Sequence, residues 1–244
     1  MSYQSSLILE KVIRLKQYFD DEVMVKTHLH EVHPDLPKAD RINYIYFTLP
    51  VAINYQRNSP AMWQSALKTY NDPKTKYLFY PGKVIQQSLS RVQTDLLKHK
   101  LALQKNKHTQ IWIKLCETLH FDFNNDPRQI IKMGNNDVLQ IREIVQTKKK
   151  SIFPYLSGAK MTNYWLYILN LYTDVKLKNI QMISIIPDTH VMQSSIKLGL
   201  TTEDDSHEDV AQKWFELLKE TGLKPIDMHP VLWNWSRNNF EPEV

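Results

Sequence analysis

Lys160 and Asp188 are the two side chains of this 244-residue sequence whose types and positions most suggest chemistry. Lys160 follows the short turn Leu156-Ser157-Gly158-Ala159 and opens an apolar run, KMTNYWLYILN, that reads as a helix. Asp188 follows Pro187 in IPDTHV, where a second helix opens near Thr189. A neutral amine attacks carbon, and a carboxylate steadies a developing cation. Burial and the partial positive charge of a helix N-terminus both favour the neutral amine. The turn before Lys160 adds something else. Small residues at a helix start offer backbone N–H groups to a phosphate, and Gly158 permits close approach. Each feature also has a plainer reading: a solvated lysine, an N-cap aspartate, a turn between two core helices.

The elements that must position this pair read as helices. Only 5 glycines argue against a hairpin-rich β protein, and 42% apolar with 11% aromatic residues can bury a substantial core. Residues 7–15 have helical apolar spacing, with Ser5 or Ser6 as cap. Residues 42–53 read as a buried helix broken or kinked at Pro50, with a strand as the alternative. The polar stretch Gln56-Arg57-Asn58 suits filling a gap in a base stack, or a capping turn with Ser59 as cap and Pro60 at the first helical position. Residues 84–104, 109–119 and 209–221 read as further helices, the last closed by Gly222. In residues 230–240, Trp233 and Trp235 fall on different sides of a helix, one for the core and one for a pocket.

Composition narrows the function. The formal charge of +5 fits a polyanionic partner, and Lys148, Lys149 and Lys150 lie just before the central turn, placed to meet phosphate. The single cysteine, Cys116, supports neither a disulfide nor a zinc cluster and reads as a core thiol. His28, His30 and His33 lack a cysteine or a second histidine motif nearby, so no metal is expected. No segment is long and apolar enough for a membrane, and residues 1–4 open no signal peptide. A reducing intracellular setting, cytoplasmic and nucleoid-associated or nuclear, is the expectation.

The order of these motifs points to a family. LSGAKMTNYWL resembles the second half of the helix-hairpin-helix motif of the base-excision DNA glycosylases of the endonuclease III superfamily. IPDTHV resembles that family's aspartate turn, INYQRNSPAMWQSAL its amide-bearing segment, and VLWNWSRNNF its closing helix. The resemblance covers roughly half the chain in patches. It places Lys160 where the lysine-dependent branch has its nucleophile and Asp188 where it has its aspartate. Three departures stand out. The hairpin's glycine-x-glycine keeps only Gly158, with Leu156 at the first glycine's position. The spacer 170–186 is longer than usual, and the cysteine cluster that holds an iron–sulfur centre is missing, so no cofactor is expected.

The resemblance implies an all-α fold of two lobes with DNA across the cleft between them. About 1–80 and 190–244 would form one lobe, and about 81–189 the helix-hairpin-helix lobe. It implies a DNA glycosylase with lyase activity on apurinic or apyrimidinic sites. Such an enzyme flips a damaged base, with an oxidised purine such as 8-oxoguanine favoured, and attacks C1′ with Lys160 assisted by Asp188. Leu156, Ser157, Gly158, Ala159, Gln56, Arg57, Asn58, Lys148, Lys149 and Lys150 would hold the DNA, and Trp233 and Trp235 would line the base pocket. The partner is double-stranded DNA with a damaged base, met by a monomer. Two alternatives stay open: a monofunctional glycosylase in which Asp188 directs a water, and a DNA-binding protein that keeps the fold without the chemistry.

Overall fold

The structure, a computed structural model, describes residues 3–26, 31–55 and 57–244. His28, His30 and Gln56 of the sequence reading lie outside them. The described residues hold twelve α-helices with short 3₁₀ turns and one π-helical turn, Ile144–Lys148, between them, and no β-strand. The helices fall into two compact units. One takes in residues 1–30 and 180–244, the other residues 31–179.

The terminal unit is built from α1 (Tyr3–Asp20), α10 (Thr189–Lys197), α11 (His207–Leu218) and α12 (His229–Arg237). Ile8, Val12 and Leu15 share one face of α1 and pack with Val191, Trp214, Leu218, Val231 and Trp235 in a single core. The small buried residues of α10 let its neighbours close in. Ser194 Oγ donates to Leu232 O at 2.8 Å, and Trp214 Nε1 donates to Ser195 Oγ at 2.8 Å. Ser206 and Asp209 form a reciprocal capping box at the start of α11.

The central unit holds α2 (Arg41–Tyr46), α3 (Ser59–Asn71), α4 (Pro81–Val84), α5 (Leu89–Lys98), α6 (Lys105–Phe123), α7 (Arg128–Met133), α8 (Val138–Glu143) and α9 (Ala159–Tyr172). Its core is aromatic. Tyr46 stacks on Phe79 at 5.4 Å and Phe47 on Tyr172 at 4.8 Å, with Trp63 and Trp112 against the same cluster. Trp165 of α9 donates its Nε1 proton to Thr48 Oγ1 at 2.9 Å. Pro50 ends the α2 region by opening a 3₁₀ turn, Pro50–Ile53, so the stretch is helical and broken at proline. Gly134 is needed where α7 meets α8, because a Cβ there would come within 2.5 Å of Ile141 Cγ1.

The two units divide elsewhere than the sequence suggested. Residues 31–80 belong with the central helices because their aromatic side chains interlock with α6 and α9. Residues 180–189 belong with the terminal unit, where Ile185 enters the core. The expected helix over 84–104 is interrupted at 85–88, and Ser88 caps a new helix by accepting from Arg91 N at 3.3 Å.

Candidate functional site

The turn before α9 is built around one unusual residue. Tyr155 has φ of 60°, the left-handed region, and Leu156 N donates to Pro154 O across it at 2.7 Å. This is a tight, strained turn for a residue with a Cβ. Ser157 N donates to Phe153 O and Gly158 N to Tyr155 O, each at 3.0 Å. The amides of Leu156, Ser157 and Gly158 are therefore turned inward and unavailable to a phosphate. Leu156 also has a fully buried side chain, which corrects its assignment as a DNA contact. Thr162 Oγ1 ties the turn to the helix by donating to Leu156 O at 2.6 Å.

The available amides lie one step further along. Gly158 is the N-cap of α9 and supplies no side-chain cap. The N–H groups of Ala159, Lys160 and Met161 have no acceptor among the described residues, since the helix's own bonds begin with Thr162 N to Gly158 O at 2.9 Å. Lys160 is exposed at the second position of that helix, beside exposed Gly158 and Ala159. The left-handed backbone at Tyr155, one residue before Leu156, has a consequence for register. If the left-handed residue holds the first glycine's place, Tyr155 and Ser157 occupy the glycine positions, and Lys160 stands one residue beyond the nucleophile's place.

In the terminal unit, Asp188 caps α10. Its Oδ1 accepts from His190 N and Val191 N, both at 3.0 Å, while Oδ2 has no partner among the described residues. The carboxylate is half-buried. Ser236 donates to Gln193 Oε1 at 2.9 Å and so is free to accept from His190 Nδ1 at 3.1 Å. The His190 ring meets the edge of half-buried Trp233 at 5.3 Å, and the Arg237 guanidinium lies 4.9 Å over the indole. Trp235 is otherwise placed. It is buried in the core with its Nε1 proton on Pro242 O at 2.9 Å, so it cannot line a base pocket.

Arg57 and Asn58 have structural work as well. Asn58, not Ser59, caps α3 by accepting from Ala61 N at 2.8 Å, and Pro60 takes the second helical position. The Arg57 guanidinium donates to Leu101 O at 2.6 Å and Lys100 O at 3.1 Å. Burial lowers its pKa to about 10. An arginine so held is a strut rather than a probe free to enter a base stack. Lys148 pairs with Glu143 at 3.2 Å, and the Lys149 ammonium lies 5.9 Å from the Phe123 ring, whereas exposed Lys150 has no partner among the described residues.

The sequence reading missed a polar network under the 54–59 loop. Glu31 accepts from Tyr172 OH at 2.6 Å and Tyr164 OH at 3.0 Å, and Tyr164 OH accepts from Trp63 Nε1 at 2.8 Å. Burial, together with the Glu31 charge, pushes the Tyr164 phenol far above its usual range. Asn54 Nδ2 joins the network through Ser59 Oγ at 2.9 Å. No motif announces the contacts of Glu31 and Trp63 with the tyrosines of α9, because they join residues more than a hundred positions apart.

A comparison with solved structures finds a trapped endonuclease III–DNA covalent intermediate, an estranged-adenine complex. The match has a TM-score of 0.62 at 18% sequence identity and covers 100% of this chain and 91% of that one. No protein-family model matches the sequence, and no curated protein does. The chain therefore has the all-α helix-hairpin-helix fold of endonuclease III, over its whole length.

Proposed function

We propose that this protein is a DNA glycosylase that removes a damaged base from double-stranded DNA. The observation that carries the reading is the full-length likeness to an endonuclease III bound covalently to DNA. The uncapped start of α9 supports it, because three unpaired amides and a helix dipole favour a phosphate. Asp188 supports it too, since one carboxylate oxygen remains for a cation after the cap is made. The enzyme flips the damaged nucleotide out of the stack. As the C1′–N bond breaks, positive charge builds on the sugar and Asp188 stabilises it. The Lys160 amine bonds to C1′, the base leaves with the bonding electrons, and the imine that follows permits strand cleavage by β-elimination. An oxidised purine is the favoured substrate.

A second reading has its own observation. The left-handed residue of the hairpin is Tyr155, and if it holds the first glycine's place, Ala159 rather than Lys160 stands at the nucleophile's position. Asp188 then directs a water to C1′, and the product is an intact strand with an abasic site.

One experiment separates the two. The protein is incubated with oligonucleotides, each bearing one lesion, and scored for base release, nicking and borohydride trapping. The lyase reading expects a trapped adduct that disappears in Lys160→Gln, with lesion binding retained. It expects Asp188→Asn to keep the α10 cap but slow base release by roughly 10²-fold or more. Base release without any trapped adduct establishes the water reading. No release from any lesion leaves neither standing.

A further inference from the structure

Tyr55 and Tyr155 come from distant segments of the central unit, yet their rings lie 5.4 Å apart, tilted by 51°. The Lys107 ammonium sits 5.0 Å from the Tyr55 ring and 4.7 Å from the Tyr155 ring. Tyr55 is 37% exposed and Tyr155 half-buried, so the cluster reaches the surface. A core role therefore does not account for it.

The backbone at Tyr155 sharpens the point. A residue with a Cβ is strained at φ of 60°, whereas glycine adopts that conformation freely. A tyrosine in so tight a turn holds its ring in a place that a glycine would leave empty. The surroundings say what the ring meets. The segments that supply Tyr55, Lys107 and Tyr155 lie within residues 41–71, 96–116 and 144–173, none of which contains an aspartate or glutamate. Those segments carry 12 of the chain's 31 lysines and arginines. The open amides of Ala159, Lys160 and Met161 begin four residues after Tyr155. Lys98, Lys114 and Lys148 of these segments pair with Asp72, Glu117 and Glu143, whereas Lys107 makes no ion pair among the described residues. Aromatic faces beside that cation and the free amides match a nucleotide: a flat base and an anionic phosphate.

We infer that Tyr55, Tyr155 and Lys107 form a platform on which one unpaired nucleobase of bound DNA stacks. The inference rests on the nucleic-acid reading above and adds a base-holding surface to it. The platform tolerates any base, since every base presents a π face and no side chain here reads a base edge.

A duplex carrying a single bulged 2-aminopurine tests this, with fluorescence reporting stacking and anisotropy reporting binding. The wild-type protein quenches the probe on binding. Tyr155→Gly removes the ring and relieves the left-handed strain, so its thermal midpoint equals or exceeds that of the wild type. Its affinity for the bulged duplex falls about tenfold, as for other lost base–aromatic stacks, and the quenching disappears. Affinity for a fully paired duplex is unchanged, and Tyr155→Phe keeps the quenching. A folded Tyr155→Gly protein that quenches like the wild type overturns the platform and leaves DNA binding intact. A wild-type protein that binds neither duplex at low salt overturns both.

Discussion

Arg57 shows how a side chain's partners decide its role. Sequence alone offers a positively charged residue between two amides, a natural candidate to fill a gap in DNA. The folded chain instead places the guanidinium on the carbonyls of Lys100 and Leu101, across a turn where Lys100 has φ of 58°. Two hydrogen bonds from a charged donor, partly shielded from water, hold that turn. Arg57→Ala leaves both carbonyls without it and should lower stability by about 2 kcal/mol. Lysine cannot reproduce the two-pronged geometry, so Arg57→Lys should recover little of the loss. Urea unfolding of the three proteins measures this, and an unchanged midpoint in Arg57→Ala would return the residue to the DNA-contact role. What the sequence did reveal at this scale was local. Asp188 as the cap of α10 and Cys116 as a core thiol depend on near neighbours and apolar spacing. Arg57, Tyr164 and Tyr155 depend on partners that only the fold brings near.

At the scale of elements, helix type and approximate extent were legible, because apolar residues recur at helical spacing and prolines mark the breaks. The backbone of the α9 turn was not. Nothing in the residue type of Tyr155 announces a left-handed φ, and the turn it makes lies between the buried side chains of Phe153 and Leu156. The start of α6 hides a similar feature. His108 is 1% exposed, and its Nδ1 accepts from Leu103 N at 3.2 Å, which leaves Nε2 buried without a partner. Burial, aided by the positive charges of Arg57 and Lys107, lowers its pKa from 6.5 to about 4. A histidine with a depressed folded pKa binds a proton more readily when unfolded. Its contribution is present above pH 6.5 and is lost as pH falls from about 6.5 to about 4. His108→Gln is neutral throughout and can still accept from Leu103. The difference in urea midpoint between the two proteins should shift against the wild type over that window. A constant difference from neutral pH down to about pH 4 would mean that His108 carries no such penalty.

At the scale of the whole molecule, fold class followed from composition and motif order, and the full-length likeness to endonuclease III agrees. The partition into units did not follow. Residues 31–80 have no composition break from what precedes them, and their place is set by aromatic packing against helices far along the chain. Charge is the other molecular property, and it can be tested directly. A net +5 supports a polyanion partner only if the cations are free to release counterions from phosphate. In the run Lys148-Lys149-Lys150 they are not equally free. Lys148 is engaged with Glu143, Lys149 lies over Phe123, and Lys150 is exposed without a partner among the described residues. Affinity for duplex DNA, plotted as log K against log salt concentration, should fall steeply. Lys150→Gln should reduce that slope by about 0.9, the value for one phosphate contact, and weaken binding to all sequences alike. Lys148→Gln frees a carboxylate at the same time as it removes a cation, so any loss of affinity there mixes repulsion with lost attraction. Lys150 is therefore the cleaner probe. A slope near zero for the wild-type protein would remove nucleic acid as its partner, whereas a steep slope unchanged in Lys150→Gln would move the phosphate contacts to other cations, such as Lys100, Lys105 and Lys107, which make no ion pair among the described residues.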